Sequence, residues 1–468
     1  MRPQRSCDTC YRIKVRCIYE QGSQACERCA RIGHACKVER AVLLPGRPRT
    51  APKLPTVEKL QSTPRVKRQA STVAVRRLPQ APMIRQGLFL PIWKKFGQGE
   101  LPLIEFLLHP DQIASLLYGQ TFRGVVRSTL ATQIYGATEQ LKDGVMAFAN
   151  ALMAARVSAK AESIPFDKRS SRALQKLGNM SASTLEQARV AVGLALMLIT
   201  YNDIVAGAPS LPVSRSALLL AMPWRKQLIG ATTEETDCNI ICLLFVETSN
   251  CLVLGEIPVF RYEAPQGNTV VDPYYGVCHE LLPLIYDLCT LHRDIKAGSV
   301  SWRDRALRIK LLTTWVNQWS PELAVKARDK VIVDSDEKCH FLLQARAFKS
   351  SLQLLLLYAQ TTTAVGDSAR LRAVQLHSEI LDVLHHGVDR PKYVLFPYFV
   401  ACLEPMVVDE NTENILLDTM NKISNGMAAK LCQGMLDCLT LIWHNRRRSP
   451  DLTWFECVDS ESAVVIGP

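Results

Sequence analysis

Residues 7–36 read CDTCYRIKVRCIYEQGSQACERCARIGHAC, and this stretch decides how the rest of the chain is read. Cys7, Cys10 and Cys17 are spaced C-x2-C-x6-C. Cys26, Cys29 and Cys36 repeat that spacing, each 19 residues after its counterpart. Short-range pairs of soft thiolates are what a structural zinc site needs, because the ligands must converge at about 2.3 Å from one small ion. Six thiolates are too few for two separate tetrahedral ions, but they suffice if two of the sulfurs bridge. Count, duplication and spacing together point to two zinc ions held by six cysteines, with pseudo-twofold symmetry.

The two halves match beyond their sulfurs. Asp8 and Glu27 follow the first cysteine of each half, where a carboxylate suits the positive start of a short helix. Arg12 pairs with Arg31 and Ile13 with Ile32, but Lys14 corresponds to Gly33. That asymmetry assigns the nucleic-acid contact to the first half, since lysine or arginine on guanine O6 and N7 is the commonest specific base contact. A disulfide framework would require a secretory leader. Residues 1–20 are basic and polar with no apolar core, so that reading fails. A zinc module used only for protein contacts is the second alternative. The basic surroundings favour DNA, because positive charge is the footprint of phosphate binding.

Cys7-x2-Cys10-x6-Cys17-x8-Cys26-x2-Cys29-x6-Cys36, with Lys14 between the second and third ligands, resembles the fungal Zn₂Cys₆ transcription factors. The resemblance implies that Cys7 and Cys26 bridge both ions. It also implies that Lys14 reads a CGG-type triplet of double-stranded DNA in the major groove from a short helix, with Arg12 and Arg16 as flanking DNA contacts. Two features depart from the family. The inter-half loop carries Gly22-Ser23-Gln24-Ala25 where a proline is usual, and Tyr11 and Ile13 stand where arginines are common. Neither change touches a ligand; both bear on DNA affinity and site preference.

Charge is split along the chain. Residues 1–95 carry 21 Lys and Arg against 5 Asp and Glu, a net of +16, while the remainder carries 35 against 39, a net of −4. A local positive field at one end suits a polyanion-gripping head in front of a near-neutral body. Residues 41–91 hold prolines at 45, 48, 52, 55, 64, 79, 82 and 91, with basic residues between them. No long helix survives that density of proline, so the stretch reads as a disordered basic linker. A heptad coiled coil cannot run through it. The chain therefore acts as a monomer or forms a homodimer through the segment that follows. Arg65, Lys67 and Arg68, then Arg76 and Arg77, form a candidate nuclear import signal.

From about residue 88 the apolar pattern is helical. Phe341, Ala345, Phe348, Leu352 and Leu355 step by 4, 3, 4 and 3, one face of an amphipathic helix. Leu281, Ile285 and Leu288 behave alike, as do Leu431, Met435, Cys438 and Ile442. Further helices are expected near 102–118, 141–160, 184–203, 234–254, 304–319 and 368–386, with Pro209, Pro212, Pro258, Gly267 and Pro273 as punctuation. Residues 393–401 (YVLFPYFVA) and the 426–445 helix with Leu441, Ile442 and Trp443 resemble the fungal-specific regulatory domain. That resemblance implies an all-α domain that receives signals or binds partners. The expected organisation is a Zn₂Cys₆ head (1–40), a Pro-rich basic linker (41–91) and a large all-α regulatory domain (92–468).

Other signals weigh less. Leu291-His292-Arg293-Asp294-Ile295-Lys296-Ala297 is similar to a kinase catalytic loop, but Ser299 stands where a metal-binding asparagine is required. The Gly-rich loop and Asp-Phe-Gly are missing as well, so a charged helix end is expected. Ten cysteines beyond the head lie mostly in apolar helical contexts and read as buried thiols in a reducing compartment. Cys238 and Cys242 sit one turn apart without a third ligand nearby. The longest uncharged run, residues 350–366, falls short of the roughly 18 residues that span a bilayer, so no membrane association is expected. Trp454 and Phe455 among acidic residues are expected to dock on the body.

The leading expectation is therefore a nuclear, sequence-specific regulator of RNA polymerase II genes that engages the transcription machinery. The single lysine-centred basic run resembles regulators of fungal secondary-metabolite clusters. An adaptor whose zinc cluster does not bind DNA is the alternative. No nucleophile–base pair supports an enzyme.

Overall fold

The computed structural model describes residues 17–18, 25–31, 36, 95–157, 167–230, 237–264, 270–332, 334–360, 371–372, 374–376, 378–379, 392–403, 410–424, 426–449 and 456–458. The chain divides into two compact units, Met1–Arg76 and Arg77–Pro468. In the first, the described regular element is a short helix, α1 (Glu27–Arg31). The whole linker span 41–91, including Arg65, Lys67, Arg68, Arg76 and Arg77, lies outside the described residues, as do Trp454 and Phe455.

The second unit is built of helices. Among the described residues it contains no strand, only an isolated antiparallel bridge between Asp272 and Gly276. The helix expected over 102–118 is two helices, α2 (Leu101–Leu108) and α3 (Pro110–Leu116). Pro110 disfavours helical backbone in the residue before it, and His109 is extended at φ −63°, ψ 137°. The His109 ring then caps α3 by accepting the Asp111 N–H at 3.3 Å. Next come α4 (Arg123–Gly136), α5 (Thr138–Val157) and α6 (Asp167–Gly178).

The centre is formed by α7 (Leu185–Tyr201), α8 (Leu211–Ala221) and α10 (Cys238–Leu254), with short α9 (Arg225–Ile229) between the last two. Thr184 starts α7 by accepting the Gln187 N–H at 3.2 Å, and Asp237 starts α10 through the Asn239 N–H at 3.0 Å. In α10 every residue but Asn239 is buried, so the helix is surrounded by protein on all faces. Gly144 lets α5 approach α7: a Cβ there would lie 2.4 Å from Leu194 Cδ1. Pro212, expected as a break, occupies the first turn of α8, where the missing N–H has no acceptor to lose.

A π-helical turn, Asn202–Ala206, continues α7 and closes with the Gly207 N–H on the Asn202 carbonyl at 2.7 Å. With this turn the run Leu185–Ala206 is long and apolar enough, by length and composition, to cross a membrane. A search for uncharged runs overlooks it because Glu186, Arg189 and Asp203 lie within it. Packing of α7 against α5, α8 and α10 accounts for its apolarity.

The C-terminal half comprises α11 (Leu282–Lys296), α12 (Trp302–Gln318), α13 (Pro321–Lys326), α14 (Ser335–Gln360), α15 (Leu395–Ala401), α16 (Glu410–Ile423) and α17 (Ala429–Arg448). The apolar stripes read from the sequence on α11, α14 and α17 are buried in one continuous core. Within the span expected to be helical at 368–386, residues 371–372, 374–376 and 378–379 are helical. Burial of a large apolar side chain contributes about 1.5–3 kcal/mol, and α15 alone buries Phe396, Tyr398 and Phe399 completely.

Polar ties hold the periphery. The kinase-like stretch is the end of α11: His292 is buried, and Asp294 is held by Arg293 at 3.0 Å and Arg308 at 2.7 Å. Arg328 is buried and donates to the carbonyls of Val270 at 2.7 Å and Ala324 at 2.8 Å while pairing with Glu280. Lys392 donates to the carbonyls of Ser115 at 2.8 Å and Leu117 at 2.5 Å, and Tyr393 donates its hydroxyl to Leu116 O at 2.7 Å. The segment before α15 thereby clasps the end of α3. The tail returns to the body through Asn445 on Cys457 O at 2.9 Å and Lys296 on Val458 O at 2.8 Å.

Candidate metal centre and an interior cavity

In the first unit α1 begins just after Cys26, and the Ala30 N–H bonds to the Cys26 carbonyl at 3.0 Å. One helical turn brings Cys29 back beside Cys26. Cys36 lies beside them, and its Sγ accepts the Cys26 N–H at 3.3 Å. Cys26 and Cys29 are fully buried, and Cys17 and Cys36 pack against them. The sulfurs of Cys26, Cys29 and Cys36 all lie within 4.8 Å of one another.

This donor set fits zinc. Three soft thiols, two of them buried, converge on one point, and the N–H···S bond is the kind of support that orients a metal-bound sulfur. Ligands about 2.3 Å from a tetrahedral ion stand about 3.8 Å apart, so the cysteines need only small adjustments to enclose one. The sequence spacing therefore brings three of the six expected ligands together, with a fourth beside them. Cys7 and Cys10, and the expected DNA contacts Arg12, Lys14 and Arg16, lie outside the described residues.

The second unit holds a partly open cavity of about 270 Å³. One water needs roughly 10–15 Å³ by the same measure, so the space can hold an organic molecule. Its walls come from α3, α4, α5, α7 with its π turn, α10, the 274–275 turn, the 392–395 segment and residues 423–431. Leu116, Val126, Leu130, Phe148, Leu152, Met197 and Val246 make them predominantly apolar. Tyr274 and Tyr275 are presented by a tight turn in which Asp272 Oδ1 accepts both their N–H groups, at 2.9 and 2.7 Å. Gly276 closes that turn at φ +55°, and a Cβ there would collide with the Phe341 ring at 2.4 Å.

Cys238 and Cys242, noted as a pair in the sequence, both line this cavity. Burial pushes both thiols well above the usual thiol range, so they stay neutral. Asp203, on the π turn, also lines the cavity and is the one acidic side chain among the described residues that does. The residue is half-buried, but its Oδ1 is shielded from solvent without a hydrogen-bond partner among the described residues, and desolvation raises its pKa to about 7. Sequence reasoning passed over Asp203. The signal was present: it is the only charged residue between Arg189 and Arg215, in an otherwise apolar and neutral stretch.

The family described as fungal specific transcription factor domain matches residues 144–466, more than half of the chain. No curated protein and no solved structure matches it.

Proposed function

The chain belongs to the fungal specific transcription factor domain family, and from that premise we propose that it is a DNA-binding transcription regulator whose N-terminal head is a Zn₂Cys₆ cluster. The observation that carries the reading is the convergence of Cys26, Cys29 and Cys36 within 4.8 Å, in the segment that carries the net charge of +16. Two zinc ions held by Cys7, Cys10, Cys17, Cys26, Cys29 and Cys36 supply structural cross-links and no reaction chemistry. Lys14 contacts a base edge in a CGG-like triplet, and Arg12, Arg16 and the basic segment behind them add phosphate contacts. Nuclear residence follows from the role, and the lysine-centred basic run supports control of a secondary-metabolite gene cluster. A regulatory rather than catalytic body is consistent with neutral, buried thiols in its cavity and with an Asp294 committed to two arginines.

Selection of duplexes from a random pool by the full zinc-loaded chain tests this. CGG-containing sites should be enriched, and Lys14→Ala should cost about 1–3 kcal/mol of discrimination at one base pair. Removing Arg12 or Arg16 should weaken binding to all sequences alike and reduce the salt slope by about 0.9 for each phosphate left without its cation. Binding to no duplex at low salt would move the protein to the adaptor reading. Undiminished preference in Lys14→Ala would reassign the base contact.

A further inference from the structure

We propose that the interior cavity of the helical unit is a binding site for a small, largely apolar molecule carrying one protonated amine, which pairs with Asp203. Its existence does not depend on the DNA reading above.

The walls decide the class of ligand. A predominantly apolar lining favours a hydrophobic body, and Asp203, the one acid on the wall among the described residues, offers a carboxyl oxygen without a partner. Leaving such an acceptor buried and unpaired weakens the fold, and a donor on the ligand would recover that loss. The cause acting on Asp203 is desolvation, with no cationic neighbour beside it among the described residues. The basic side chain at the cavity, Lys392, is committed to the carbonyls of Ala114, Ser115 and Leu117. A ligand carboxylate would therefore meet Asp203 with the Lys392 ammonium on the wall already engaged. A ligand ammonium meets a carboxylate, with Tyr274, Tyr275 and Phe148 nearby as aromatic wall. The π turn strengthens the assignment: it places Asp203 on the cavity where α7 ends, and such turns recur at functional sites.

The experiment uses the full zinc-loaded chain at pH 7.5, with tryptamine and 2-phenylethylamine against indole-3-ethanol, 2-phenylethanol and indole-3-propionate. Calorimetry and thermal unfolding of the helical unit are the readouts. Both amines should bind and raise the melting temperature, roughly tenfold more tightly than the matching alcohols, and the propionate should not bind. Asp203→Asn, isosteric and spared the cost of a buried charge, should fold and lose the preference for amine over alcohol. Leu196→Trp, which fills the space, should abolish binding of all probes. Equal affinity of amines and alcohols, no binding of either amine, or a preference that survives in Asp203→Asn would overturn the proposal. The amine-to-alcohol ratio is read on the unsubstituted chain, so a variant that failed to fold would leave the test standing. DNA affinity enters none of these readouts, so failure here leaves the head's function untouched.

Discussion

The head and the body of this protein are held by different forces. In the head the buried side chains among the described residues are Cys26 and Cys29, and the residues packed on them are again cysteines. A segment of this size cannot exclude enough apolar surface to fold alone, so on the proposed reading cross-links through metal replace a core. In the body one large apolar cluster runs from Phe96 to Val458, and helices such as α10 are buried on nearly every side. One unit depends on a few strong bonds, the other on very many weak ones. Perturbations should therefore act on one and spare the other.

The largest effect should come from metal. Chelation of zinc, or Cys26→Ser, should remove on the order of 10 kcal/mol from the head. Amide exchange across residues 25–36 should lose its protection while the melting temperature of the helical unit stays unchanged. A body that melted early after chelation would mean that the two units share their stability.

The converse experiment is Gly276→Ala. Left-handed backbone costs an alanine about 1–2 kcal/mol, and displacing the buried Phe341 ring adds about 1–3 kcal/mol. The helical unit should lose about 3 kcal/mol in denaturant unfolding, with zinc content unaltered. A neutral outcome would show that the 272–276 turn can reform around a side chain.

Acid and base should divide the units more gently. Desolvation lowers His279 to about 4 and His292 and His340 to about 3. Their folded values lie below the unfolded one, so the stability of the neutral rings is complete above about 6.5 and is lost as pH falls toward 3. Burial raises Asp203, Asp272 and Glu247 to about 7 and Asp237 to about 6. Their folded values lie above the unfolded one, so their contribution is complete below about 4 and is lost as pH rises through 7. The melting temperature of the body should be highest between about pH 4.5 and 6.5 and decline on either side. Asp203→Asn should make the alkaline decline shallower. A curve that rose steadily to pH 8 would contradict the burial of these carboxyls.

Legibility in the sequence followed the same division. Sulfur spacing is a local signal, so the ligands Cys26, Cys29 and Cys36 could be named before any coordinates. The stripes on α11, α14 and α17 were readable because each repeats within one helix. Helix α6 was missed because its charged residues hide the apolar side, and α8 because Pro212 looks like an end when it is a beginning. The cavity had no local pattern at all: its walls run from Ile113 to Leu431, and only folding assembles them. Asp203 announced itself only as a solitary charge.

The clasp at Lys392 and Tyr393 has a practical corollary for anyone dissecting this protein. The family match opens at residue 144, and that number invites an expression fragment starting there. Such a fragment would discard α3, leaving the Lys392 ammonium and the Tyr393 hydroxyl without the carbonyls of residues 114–117 that receive them. It would also remove the parts of the cavity wall that α3 and α4 supply. The shortest self-sufficient piece must reach back past α2, to about residue 95.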